Sequence, residues 1–324
     1  MPSPIDSPTA SSQADTLDVG HLIDERPIGR FQLIVAIICG AIVFLDGFDA
    51  QIIGYVAPQL IAKLHLDRVA IGHVQSAGLA GMLVGAMVFG PLADRFGRRP
   101  ILILCPLIFG IGSLLTTLGT SEGSLVVFRL ITGFGMGGAM PNTIALTAEY
   151  MPKRSRASAV MIMFCGFSIG AAVVGWVATG LIPAFGWQSV FVVGGLLPIA
   201  ITVVTFIYLP ESIRFLLRRQ LDQHRAHGYL SKIAPEAPRT AHLVVSDEAA
   251  HGGPNMFKQL FVDGRYRVTL LLWVMFFANL LDLYFVNSWM PTIMKDVGMP
   301  ARPSSTMNPF LRRRSTRYFF VSNS

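Results

Sequence analysis

Seven stretches of this chain are apolar almost throughout: about 31–58, 71–93, 100–120, 124–148, 158–180, 187–209 and 267–292. A helix needs roughly 20 such residues to cross a bilayer, so runs of this length leave the chain few other ways to fold. The apolar residues fall in blocks rather than at amphipathic spacing. With 52% hydrophobic and 14% charged residues in 324, a soluble domain is excluded and an all-α polytopic membrane protein is expected.

The net charge of +7 would suit a nucleic-acid partner only if the basic residues clustered, and they do not. They lie in the links between apolar runs. Arg95, Arg98 and Arg99 follow the second run, Lys153, Arg154 and Arg156 follow the fourth, and a long basic link follows the sixth. The alternate links carry only Lys63 and Arg68 in one case and no basic residue in the other two. The positive-inside rule then places the N-terminus in the cytoplasm of a multi-pass inner-membrane protein.

The expected organisation has five parts. Residues 1–30, rich in Ser, Pro, Thr and Asp and without signal-peptide character, are expected to form a disordered cytoplasmic tail, with His21 to Arg30 as a candidate interfacial segment leading into the membrane. A six-helix bundle covers 31–209, a cytoplasmic central loop 210–266, and a seventh helix 267–292. After that, 293–324 is rich in Arg, Ser and Pro and has no apolar run. Arg312 to Arg314 would lie outside by topology, against positive-inside. That tail is expected to be aberrant and frameshifted; a functional short carrier that dimerises is the other reading.

Polar groups inside the apolar runs are expensive, and an intramembrane Asp costs roughly 2.5–3.5 kcal/mol on insertion scales. The first run holds two, Asp46 and Asp49, three residues apart and so on one helix face. Gly47 between them lets another backbone or a ligand approach. In the fourth run Arg129 enters the membrane by on the order of 8 Å at ~1.5 Å per residue. Either it snorkels to the outer interface, or it turns inward to pair with Asp49 or a substrate carboxylate. The row Gly133, Gly135, Gly137 and Gly138 after it suits close helix packing. Asn142 either lines a cavity with Arg129 or hydrogen-bonds a neighbouring helix, and Asp282 is an intramembrane polar group of the seventh run. Phe44, Phe48 and Tyr55 are ring-packing candidates or plain lipid-facing aromatics.

The link Gly90 to Pro100, GPLADRFGRRP, brackets an Asp and three Arg with glycines. Asp94 can accept charge-assisted bonds from a nearby Arg, while Gly90 and Gly97 permit tight packing. The whole string resembles the G-x-L-A-D-R-x-G-R-R signature of the major facilitator superfamily. In that family the turn is a gate latch, a role the resemblance assigns to Gly90, Asp94, Arg95, Gly97, Arg98 and Arg99. Glu149 resembles an acidic position of the same carriers and joins the gating set, although pairing with Arg154 or Arg156 accounts for it equally well.

DGFD at Asp46 to Asp49, followed by Gln51, Gly54, Ala57 and Pro58, narrows the resemblance to the aromatic acid:proton symporters of the superfamily. Gly186 to Pro198 and Pro210 to Leu216 are similar too, the latter string being shared with sugar porters. The fifth run lacks the Gly-Pro pair of proton-coupled drug exporters, which counts against an antiporter. The resemblance implies a major facilitator N-terminal six-helix bundle plus one helix of the second half. It also implies import of a benzoate- or hydroxybenzoate-like acid, with Asp46 and Asp49 coupling protons and Arg129, Phe48, Asn142 and Asp282 meeting the substrate. The expected partners are therefore an aromatic carboxylate, protons and the lipid bilayer. A non-transporting remnant of such a carrier, or a porter for another organic anion or sugar, is the alternative.

An enzyme is not expected. His65, His73 and the loop histidines form no nucleophile or metal constellation, and no phosphate-cradling loop is present. Cys39, Cys105 and Cys165 lie within apolar runs without disulfide or metal spacing, so neither a metal nor a cofactor is expected.

Overall fold

The computed structural model describes residues 16–218, 223–233, 242–244 and 265–296, with side chains of the last segment described up to Asp282. Six helices in it are long and apolar enough to cross a membrane. They are α2 (Arg30–Leu64), α3 (Arg68–Phe96), α4 (Arg98–Thr116), α5 (Glu122–Tyr150), α6 (Lys153–Phe185) and α7 (Gln188–Tyr208). Helices suit this setting because lipid offers no partner to a backbone N–H or C=O. Their outer faces stay apolar and bare: Met161, Ile162 and Trp176 of α6 and Leu83 and Met87 of α3 are all exposed.

The ends are set by local chemistry. Asp67 accepts from Ala70 N at 2.7 Å to start α3, and Ser121 exchanges hydrogen bonds with Ser124 to start α5. Gly97, at φ +98°, stops α3 and lets α4 begin at the next residue, a conformation that favours glycine.

Within the bundle α3 packs along α5, α2 along α6, and α4 against both α5 and α7. Small residues make these approaches. A Cβ on Gly81 or Gly85 would strike the backbone of α5, and one on Gly133 or Gly137 would strike that of α3. Gly135 turns instead to α4, against Cys105 and Phe109, and Gly138 lies against Phe89. The glycine row of α5 is thus a packing surface on more than one side. Gly47 of α2 meets the carbonyl of Phe167, and Gly170 of α6 meets that of Phe44. Gly47 therefore admits a helix backbone. Gly90 departs from expectation, because a Cβ there would meet nothing within 4 Å.

The residues flanking the bundle are more ordered than the sequence suggests. The expected disordered tail covers 1–30; residues 1–15 lie outside the described residues, but Thr16–Asp18 form strand β1 and Val19–Glu25 helix α1. Asp18 caps α1 through Gly20 N at 2.9 Å, and Val19 and Ile23 are buried. A one-turn apolar stripe among polar neighbours is enough to dock so short a helix. In the link after α7 lie α8 (Ile213–Arg218), α9 (Gln223–Ile233) and β2 (His242–Val244). β2 pairs parallel with β1, with Leu17 opposite Leu243.

Residues from Glu248 onward form a separate compact unit. Its described part is α10 (Tyr266–Asp296), which takes in the apolar run expected at 267–292. The rest of the tail, from residue 297, lies outside the described residues.

Candidate functional site

α2 carries Asp46 and Asp49 into the bundle, both 4% exposed, and α5 carries Arg129 beside them. Arg129 Nη1 donates to Asp49 Oδ2 at 2.6 Å. The inward reading of Arg129 therefore holds over snorkelling: its side chain is buried, and its guanidinium lies over the ring of Phe191, 4.9 Å from the centroid. Arg129 Nε and Nη2, Asp49 Oδ1 and both oxygens of Asp46 find no hydrogen-bond partner among the described residues. One ion pair thus leaves several buried polar atoms for further chemistry.

Asp46, one turn from Asp49, lines a narrow crevice with Cys105 and Phe109 of α4 and Gly135 and Met136 of α5. Its volume of about 10 Å³ is near that of one water-sized sphere, too small for an aromatic acid.

Of the other expected substrate residues, Phe48 shares a buried cluster with Phe191, the ring under Arg129, and Asn142 lies apart. Phe48 is packed into the buried cluster of Ile52, Val190 and Phe191. Asn142 satisfies neither sequence reading: its Nδ2 donates to Gly138 O at 2.7 Å, one turn back on its own helix. It lies 13 residues from Arg129, about 20 Å along α5 at ~1.5 Å per residue. Asp282 belongs to α10 in the separate unit and is exposed.

At the other end of α5, Gly97, Arg98, Arg99 and Glu149 of the expected gating set come together around two carboxylates, Glu149 and Glu211. Arg98 Nη1 donates to Glu149 Oε2 at 2.7 Å. Ser212 Oγ at 2.8 Å and Arg214 N at 2.7 Å also donate to Glu149. Neither Arg154 nor Arg156 is its partner: Arg154 donates to Arg26 O and Arg156 to Met151 O. Glu211 Oε1 accepts from the backbone N–H groups of Arg98, Arg99 and Ser212 at 2.8, 3.1 and 2.9 Å. A Cβ on Gly97 would collide with that carboxylate, so Gly97 is needed for space as well as for its φ. Burial pushes the Glu211 carboxyl up from its ordinary value, the three N–H donors pull it down, and Glu149 pushes it up again.

Asp94 and Arg95 are exposed, and Asp94 takes no Arg partner among the described residues. Glu149 and Glu211 hold Arg98 and Arg99 instead. Glu211, Ser212 and Arg214 were not singled out by the sequence reading. Their signal was the string Pro210 to Leu216 directly after a membrane helix. Tyr150 adds a further tie, its hydroxyl donating to Glu211 O at 2.6 Å, and Gln32 Nε2 donates to Tyr150 O at 2.7 Å.

A six-helix membrane bundle with a buried carboxylate–guanidinium pair between its first and fourth spanning helices, and an Arg-rich turn after the second, matches a known family model. The Major Facilitator Superfamily model covers residues 39–311. The chain belongs to the Major Facilitator Superfamily. Among superfamily members similar to it is the 4-hydroxybenzoate transporter PcaK of Acinetobacter baylyi, 40% identical over 291 residues, which are 89% of this chain and 64% of that protein. The gallate transporter of Pseudomonas putida is 38% identical over 94% of this chain and 66% of its own length. The Escherichia coli 3-(3-hydroxy-phenyl)propionate transporter is 34% identical over 83% and 59%. The chain thus spans about 64% of the length of the first of these relatives. Among solved structures, the partially occluded inward-open xylose transporter XylE from E. coli superposes with a TM-score of 0.56 at 22% identity, covering 63% of this chain and 55% of that one. At that identity the likeness concerns the major facilitator fold alone.

Proposed function

We propose that this chain is a proton-coupled secondary transporter that imports an aromatic carboxylate across the bacterial inner membrane. The observation that carries the reading is the buried Asp49–Arg129 pair at 2.6 Å, in a chain whose relatives are named for transport of hydroxybenzoate and gallate. A guanidinium with two unpartnered nitrogens can accept a second carboxylate, bidentate in geometry. A proton on Asp49 releases Arg129 to a substrate carboxylate, and loss of that proton restores the internal pair. Substrate and proton then enter together. Asp46, one turn away with both oxygens unpartnered, holds the proton next to the pair. Phe48 backs this face through the buried cluster it shares with Phe191.

In this reading the N-terminus is cytoplasmic and Gly90, Asp94, Arg95, Gly97, Arg98, Arg99 and Glu149 close the cytoplasmic end. The Arg98–Glu149 contact at 2.7 Å is the part of that latch within one half.

Uptake of labelled 4-hydroxybenzoate by cells expressing the chain, with and without a protonophore, tests the proposal. Accumulation should collapse with the proton gradient and be absent from Asp49→Asn. Full accumulation by Asp49→Asn, or indifference to the gradient, would sink it.

A further inference from the structure

The guanidinium of Arg129 meets something different at each of its sides. Nη1 donates to Asp49 Oδ2 at 2.6 Å. One face lies over the ring of Phe191, 4.9 Å from its centroid. Nε and Nη2 have no hydrogen-bond partner among the described residues. Together they make one edge of the planar fork that suits a carboxylate.

The ring of Phe191 is itself held from several directions. It belongs to α7 and is wholly buried. The Phe191 carbonyl accepts from Ser113 Oγ of α4 at 3.1 Å, and Trp187, just before α7, meets the ring edge-on with 5.8 Å between centroids. Phe48 and Ile52 of α2 share its cluster. A Cβ on Gly194, three residues further along α7, would press on Ile52 and Phe48, so α7 and α2 lie close at this level. A ring fixed in this way offers the cation a fixed plane.

We infer, resting on the carrier reading above, that Phe191 is a positioning residue for the exchange of carboxylates on Arg129. Its ring keeps the guanidinium plane in place while Asp49 has let go and the substrate carboxylate has not yet arrived. During that interval Arg129 has no carboxylate, and a buried cation without a partner is costly. The electron-rich face of an aromatic ring attracts a cation without using its N–H groups. An acidic side chain in place of the ring would occupy the fork of Nε and Nη2 and compete with the substrate. An aliphatic one would fill the space and offer no attraction. A ring steadies the charge and leaves the fork open.

Mono-, di- and trifluorinated phenylalanine placed at position 191 keep the ring's shape while drawing charge from its face, the property that attracts the cation. In uptake of labelled 4-hydroxybenzoate, KM should rise with each fluorine and reach roughly ten-fold at the third, with Phe191→Leu at least as impaired. Melting temperature in detergent should fall along the same series and stay level in Asp49→Asn/Arg129→Gln, where the cation is gone. A KM indifferent to fluorine, in a chain that does transport, would overturn the positioning role and leave the carrier reading standing. Absence of uptake by the unmodified chain would instead be a failure of the carrier reading. The melting series then decides the hold on Arg129 by itself: a slope that needs Arg129 upholds it, and equal slopes with and without Arg129 overturn it.

Discussion

Arg129 and Asp49 meet at 2.6 Å although 80 residues of chain separate them. Both are buried among apolar side chains, where an unpaired charge is far more costly than a paired one. Removing one partner of such a pair costs on the order of 3–5 kcal/mol, because the other is left uncompensated. Arg129→Gln should therefore lower the melting temperature in detergent strongly. The double variant Asp49→Asn/Arg129→Gln should recover a large part of that loss. A double variant as unstable as Arg129→Gln would mean that the guanidinium holds the bundle through Phe191 and not through the aspartate.

Gly47 and Gly90 belong to two motifs that read alike in the sequence and differ in space. A Cβ on Gly47 would enter the carbonyl of Phe167, while one on Gly90 would meet nothing within 4 Å. Gly47→Ala should separate α2 from α6 and destabilise the chain. Gly90→Ala should leave stability level or raise it by roughly 0.5–1 kcal/mol, the usual gain of Ala over Gly inside a helix. Melting curves of the two variants side by side decide the matter.

The features legible in the sequence were those with a high local cost. Apolar runs gave the helices, because no soluble fold could cover them. A rare Asp and a rare Arg gave the Asp49–Arg129 pair, because each needs a partner and few exist in lipid. The partners of the turn Gly90 to Pro100 were less legible. Arg98 lies beside Asp94 in the sequence, yet it bonds Glu149 and, through its backbone, Glu211, more than 50 and 110 residues away. Proximity along the chain favours Asp94, but Asp94 projects from the surface of α3, while α5 carries Glu149 into the turn and the link after α7 carries Glu211. Asn142 misled for the opposite reason, since the carbonyl it takes is on its own helix. The pairing of β1 with β2 was hidden because three-residue strands have too few positions to show a period.

Glu211 gives the fold a pH dependence outside the membrane. Burial raises its folded value above the ordinary 4.5, so the folded chain binds its proton more readily than the unfolded chain does. By linkage, Glu211 contributes stability that is fully present below about that ordinary value and is lost as pH rises through the raised folded one. Melting temperature measured from pH 4 upward should fall across that window more in the wild-type chain than in Glu211→Gln, which keeps an oxygen acceptor for Arg98 and Arg99 and has no proton to exchange. Parallel curves for the two chains would show that the three N–H donors cancel the effect of burial.

The N-terminal segment is a strap whose hold is apolar. Val19 and Ile23 share a buried cluster with Ala226 and Leu230 of α9 and Leu243 of β2. The polar ties beside it lie at the surface: Asp24 accepts from Lys153 N at 2.7 Å, with the Lys153 ammonium 3.7 Å away. An exposed ion pair of that length contributes roughly 0–1 kcal/mol, whereas burying an aliphatic side chain the size of isoleucine is worth about 1.5–3 kcal/mol. Ile23→Asp should therefore release α9, and trypsin should cut after Arg225 and Lys232 several-fold faster than in the wild-type chain. Neutralising the ammonium by Lys153→Gln, which leaves the backbone donor in place, should change the cutting little. If Lys153→Gln opened these sites and Ile23→Asp did not, the strap would be held by charge, and the buried stripe of α1 would be incidental to it.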